Sequence, residues 1–119
     1  MPQPQALARF FVDRDRNLPE AVQLAENAIA ARRDIFTMDT LAWAYFKVGR
    51  LADARKASEQ ALRTGTKDAR ILYHRAEILA AAGDRSGALQ TWAQIPSPHA
   101  ITDVLMARAA ADLRASLSQ

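Results

Sequence analysis

The chain repeats itself at a fixed interval. Gly49 and Gly83 lie 34 residues apart, and the same offset relates Asp34 to Asp68, Ala42 to Ala76, Ala54 to Ala88 and Gln60 to Gln94. Leu7 and Ala8 stand in that relation to Leu41 and Ala42. The recurring residue types carry distinct backbone roles. Aspartate caps helix N-termini, alanine is the best helix former, and glycine takes the left-handed conformation that closes a helix. A period of this size accommodates one helical hairpin, and about three stacked hairpins are needed to bury a continuous core. The 119 residues hold three hairpins and one further helix, which by length is a single domain.

Composition supports an alanine-rich helical stack. Half the residues are hydrophobic but only 7% are aromatic. Alanine fills the difference, and small side chains let helices approach closely. The four glycines and five prolines fall mostly at the junctions between segments or near the ends. There is no cysteine, so neither a disulfide framework nor a thiolate metal site is available. The first residues, Met1-Pro2-Gln3-Pro4-Gln5, lack the basic and then apolar order of a signal peptide. No apolar run approaches the roughly 18 residues of a membrane span. Together these features give the expectation of a cytoplasmic chain without a membrane role. Sixteen basic and thirteen acidic side chains leave a net charge of +3, and the two signs interleave throughout. That pattern reads as solvated helix faces rather than the clustered basic stripe of a nucleic-acid surface.

Apolar spacing of three and four residues marks the helices. The first is expected over Gln5 to Arg14, with Leu7, Phe10, Phe11 and Val12 on its apolar side. Asn17-Leu18-Pro19-Glu20 reads as an N-cap with a capping-box glutamate. The second helix then carries Ala21, Leu24, Ala25, Ala28 and Ile29 inward, to about Arg32. Asp34 caps a third helix with the stripe Met38, Leu41, Ala42 and Tyr45, and Gly49 supplies the turn. The fourth starts near Leu51, uses Ala54, Ala57, Ser58, Ala61 and Leu62, and is expected to stop at Gly65. Asp68 restarts the cycle: Leu72, Ala76 and Leu79 on the fifth helix, Gly83 at the turn, then Ala88, Leu89, Trp92 and Ile95 on the sixth. Pro96-Ser97-Pro98 breaks the chain. Ser97 reads as the cap of a seventh helix, from Pro98 to about Leu117, with Val104, Leu105, Ala109 and Leu113 inward.

Residues Ile35 to Thr66 resemble a tetratricopeptide repeat. Family repeats place a large residue, Leu, a small residue and an aromatic along the first helix, matched in order by Met38, Leu41, Ala42 and Tyr45. A turn glycine follows, matched by Gly49. The second helix carries Ala54, Ser58 and Ala61 where the family has small, large and small residues. The next repeat offers Leu72, Arg75, Ala76, Leu79, Gly83, Ala88, Trp92 and Ile95. The first repeat is looser, with a turn that lacks glycine and is one residue longer. Ser58 stands for the usual bulky residue, Arg75 for Leu, and the closing proline is absent. The resemblance covers roughly residues 5 to 96, as repeats 5–33, 35–67 and 69–96. It implies an all-α fold: an α-solenoid of about three tetratricopeptide helix-turn-helix hairpins, plus a C-terminal capping helix over 98–117, seven helices in all.

The resemblance also implies where a partner would sit. In this family the first helix of each hairpin lines a concave groove. By motif position the groove residues are Arg9, Val12 and Asp13 from the first hairpin. The second gives Phe36, Asp39, Trp43, Phe46 and Lys47, and the third Arg70, Tyr73, Glu77, Ala80 and Ala81. Phe36, Trp43, Phe46 and Tyr73 would form an aromatic cluster, the type of anchor that interfaces favour. The competing reading has Trp43 and Phe46 packed against neighbouring helices. One subclass grips a C-terminal carboxylate with Lys and Asn, but Asp39 and Glu77 would repel that charge. Catalytic signals are weak. His74 and His99 are too few for a histidine metal site, and His74 reads as a surface or partly buried helix residue. Asp13 and Asp15 read as a solvated turn. Ser97, Ser116 and Ser118 sit at helix ends, and no glycine-rich phosphate loop appears. The expectation is a non-catalytic protein-protein interaction module without cofactor or metal, binding a peptide or helix of a protein partner. The alternatives are a homo-oligomerisation module and a docking domain of a larger enzyme.

Overall fold

The structure, a computed structural model, describes residues 4–96, 101 and 103–118. Among them are seven α-helices and no strand. They are α1 (Pro4–Asp13), α2 (Leu18–Ala31), α3 (Ile35–Lys47), α4 (Leu51–Ala61), α5 (Ala69–Ala81), α6 (Arg85–Ala93) and α7 (Val104–Leu117). The chain divides into two compact units, one running to Gly65 and the other starting at Thr66. In the first unit α1 pairs with α2 and α3 with α4, and α3 also lies against α1 and α2. In the second unit α5 pairs with α6, and α7 lies against both.

Local chemistry sets the helix boundaries. The Asp34 carboxylate accepts from the Thr37 N–H at 2.8 Å, and Asp68 accepts from the Ile71 N–H at 3.0 Å. Asp84 and Asp103 cap α6 and α7 in the same way, through Gly87 and Met106. Each bond satisfies an N–H that the helix leaves without a partner. At the other ends, the Arg50 N–H reaches the Tyr45 carbonyl and the Asp84 N–H reaches the Leu79 carbonyl, both at 2.9 Å. These closures put Gly49 at φ 84° and Gly83 at φ 83°, where only glycine is unstrained.

The turn of the first hairpin closes in the same way without glycine. The Arg16 N–H bonds to the Phe11 carbonyl at 2.9 Å, and Asp15 takes the glycine position at φ 51°. Asp15 precedes Gly49 by one full period of 34 residues. Asn17 then adds the extra residue, also left-handed at φ 47°. It precedes α2 but makes no side-chain cap bond, so the expected capping box with Glu20 does not form. The left-handed backbone at Asn17 departs from the extended conformation that a capping side chain needs.

Alanine marks the repeat in three dimensions. Ala8, Ala42 and Ala76 share one register on α1, α3 and α5, and all are 0% exposed. On the second helices Ala21, Ala54 and Ala88 are likewise 0% exposed. Ala21 sits one residue late because its turn is one residue longer. Burial without bulk at these positions lets paired helices approach closely.

Several expectations are corrected. α1 buries Ala8 and Val12, whereas Phe10 is exposed, with the Arg14 guanidinium 4.0 Å above its ring. α4 ends at Ala61, short of Gly65, which closes the following turn through a 2.9 Å bond to the Leu62 carbonyl. α7 starts at Val104 with Asp103 as its cap, six residues after the expected start. The expected Ser97 cap, Pro98 and His99 lie outside the described residues. The inward stripe of α7 is Ala110, Leu113 and Leu117, while Val104 and Leu105 are exposed and Ala109 is only half-buried. A stripe read through 104 and 105 is rotated off the true one, since each residue turns a helix by about 100°.

Candidate functional site

Positions 36, 39, 43, 46 and 47 follow helical spacing, so they share one face of α3. The structure gives them unequal access. Phe36 is 53% exposed, Phe46 and Lys47 are half-buried, and Asp39 and Trp43 are buried. Trp43 and Phe46 stack with ring centroids 4.9 Å apart at an interplanar angle of 20°. The Lys47 ammonium lies 5.1 Å from the centre of the Trp43 ring and 3.3 Å from the Asp15 carboxylate. A cation between an aromatic face and a carboxylate is held from both sides. This contact ties the end of α3 to the α1–α2 turn. On α1, Arg9 is exposed and pairs with Asp13 one turn later at 3.7 Å, while Val12 is buried.

The second unit places its three residues differently. Arg70 and Glu77 are half-buried and Tyr73 is buried. The Tyr73 hydroxyl donates to the Glu77 carboxylate at 2.7 Å. Burial, together with the Glu77 bond and charge and the charge of Asp112, pushes the Tyr73 phenol well above its ordinary value. His74 beside it is buried, which corrects its reading as a surface or partly buried residue. Its ring lies 5.6 Å from that of Tyr73. Of the four aromatics expected to cluster, Phe36 is therefore the exposed one, Phe46 is half-buried, and Trp43 and Tyr73 are held inside.

A polar network ties α2, α3 and α4 together. The Tyr45 hydroxyl donates to Glu26 at 2.8 Å, the Arg50 guanidinium stacks 4.4 Å above the Tyr45 ring, and Arg50 pairs with Asp53 at 2.8 Å. Burial and the bond to Glu26 raise the Tyr45 phenol to about 12. Spacing along the chain does not reveal this network, because Glu26 and Tyr45 are 19 residues apart. A tyrosine where an inward stripe needs an apolar residue is the available signal, since a buried hydroxyl requires a partner. Among the described residues, no group of three or more His, Cys, Asp or Glu could hold a metal ion. No described helix is long and apolar enough to cross a membrane.

Hairpins of two short helices, repeated in register with alanine at the buried positions, define a helical-repeat protein. Residues 37–67 match the family model of the tetratricopeptide repeat, which supports that family for this stretch. The match spans most of α3, all of α4 and the turn after it. Repeats of this family are in general protein-interaction modules. No curated protein and no solved structure matches the chain.

Proposed function

We propose that the chain is a non-catalytic adaptor that holds a peptide or helix of a partner protein against the first-helix face of its first unit. The observation that carries this reading is the exposed Phe36 ring, on the same face of α3 as the half-buried Phe46 and Lys47. An aromatic side chain left half in water on a rigid helix is the kind of anchor that interfaces use. Trp43 and Asp39 lie beneath this face and support it, and Arg9 of α1 adds an exposed cation. A partner segment with an apolar anchor and charges of both signs fits the mixed charge of Arg9, Asp13, Asp15 and Lys47.

The test is selection of a random displayed-peptide library on the folded chain. Binding of the selected peptides is then compared between wild type, Phe36→Ala and Arg9→Ala. Phe36→Ala is expected to weaken binding by at least about tenfold, a loss of about 1.4 kcal/mol. Because Phe36 is exposed, its unfolding midpoint should move little. Selected peptides that bind both variants as tightly as wild type would defeat the reading.

A further inference from the structure

The last helix repeats the first-helix pattern once more. Adding one period to Leu72, Arg75, Ala76 and Leu79 gives Met106, Ala109, Ala110 and Leu113. Ala110 and Leu113 are buried like their counterparts, and α7 lies against α5 and α6. One face breaks the correspondence. On α3 it carries Thr37, Thr40 and Ala44, and on α5 Ile71, His74 and Ile78, and all six are buried. The equivalent residues of α7 are Leu105, Arg108 and Asp112, and all three are exposed. Leu105 is 78% exposed where Thr37 and Ile71 are 0% and 1%, and Val104 beside it is 80% exposed. A face covered in two repeats of the same register is uncovered in the third.

The residues on this face specify what fits it. Arg108 and Asp112 are one turn apart and opposite in charge, and neither makes an ion pair among the described residues. We infer that α7 pairs with the α7 of a second copy, antiparallel, about a two-fold axis near the middle of the helix. In that arrangement each Arg108 faces Asp112 of the other copy, so two ion pairs form. Leu105 and Val104 then lie over the small residue Ala115, which is exposed on the same side. A parallel pairing would set Arg108 against Arg108 and is opposed by charge. Self-complementarity of this kind is what a two-fold interface requires. One short helix per copy offers less than the roughly 1,200 Å² buried in stable complexes, so the dimer is weak, micromolar or weaker.

The 119-residue chain is measured by sedimentation velocity up to about 1 mM, a range that captures weak association. Wild type is expected to show a concentration-dependent dimer. Arg108→Asp and Asp112→Arg should each weaken it by at least about tenfold, because each leaves like charges facing each other. An equimolar mixture of the two variants should recover a dimer through the exchanged pair. Leu105→Ser should also weaken self-association, with helical circular dichroism unchanged because the residue is exposed. A wild type that stays monomeric throughout, a dimer indifferent to the reversals, or a mixture that does not recover would each overturn the proposal.

Discussion

The hairpins α3–α4 and α5–α6 occupy the same register with different chemistry. Positions 37, 38, 39, 40, 42 and 44 are buried in the first, and each is buried again one period later. The side chains at those places change from Thr37, Asp39 and Thr40 to Ile71, Tyr73 and His74. At the C-terminal end of the helix, Trp43, Phe46 and Lys47 give way to Glu77, Ala80 and Ala81. At these six positions the period conserves burial and leaves free what occupies them. The stacked aromatics belong to α3, and its lysine lies between the Trp43 ring and the Asp15 carboxylate of the α1–α2 turn. In the second hairpin, the equivalent surface is closed by a hydrogen bond between Tyr73 and Glu77.

The largest test of this contrast is at positions 43 and 77. Trp43→Ala removes a buried, stacked ring and should destabilise the chain by about 3–5 kcal/mol in urea unfolding. Glu77→Ala at the same register leaves the buried Tyr73 hydroxyl without this acceptor and should destabilise by about 1–3 kcal/mol. Equal effects at the two positions would show that register rather than chemistry decides. Next come the alanines that both hairpins share. Ala42→Leu and Ala76→Leu each force volume into a fully buried site and should destabilise by about 1–3 kcal/mol, since overpacking displaces both helices. Here the two hairpins should behave alike. A tolerated leucine at only one site would mark that hairpin as loosely packed.

Smaller effects separate the turns and the titrating groups. Gly49→Ala and Gly83→Ala meet no atom within 4 Å, so their effect is purely backbone strain at positive φ, about 1 kcal/mol each. Asp34 gives a pH test. Burial alone would raise its carboxyl, but the Thr37 N–H and the Arg32 guanidinium hold it below its usual value. A depressed carboxylate stabilises the fold above its unfolded pKa of about 4, and that contribution is lost as pH falls through the folded value. Asp34→Asn should therefore flatten the acid limb of a stability-pH curve below about pH 4. Spectroscopic titration should give the smallest signal. Tyr45 is expected to ionise near 12 and Tyr73 later, so neither shows a phenolate absorbance step near 10 until the fold is lost.

The repeat, the aspartate caps at 34 and 68, the turn glycines and the buried alanines are all legible from spacing. They are set by interactions within a few residues, or by contacts repeated at one period. Burial of Asp39, Trp43, Tyr73 and His74 is not legible in the same way. Helical spacing reveals one inward stripe per helix, but α3 lies against α1, α2 and α4 and leaves only Phe36 exposed. A hint was present in its composition, since only Asp39 and Lys47 are charged between Ile35 and Lys47. A helix apolar nearly all round is an enclosed helix. For α7 the expected stripe slipped toward Val104 and Leu105, because these two apolar residues are exposed while Leu113 and Leu117, no larger than Leu105, are buried. Counting one period from Leu72, Ala76 and Leu79 finds the true stripe where hydrophobicity alone does not.

The turn between α1 and α2 bends twice through left-handed backbone at residues that carry side chains, Asp15 and Asn17. Aspartate and asparagine tolerate that conformation better than most residues, yet each carries strain of about 1 kcal/mol that glycine avoids. The later hairpins close with Gly49 and Gly83 and store none of it. The first hairpin is consequently where amide protons should exchange soonest with solvent, starting at α1 and reaching the others only in rarer, larger openings.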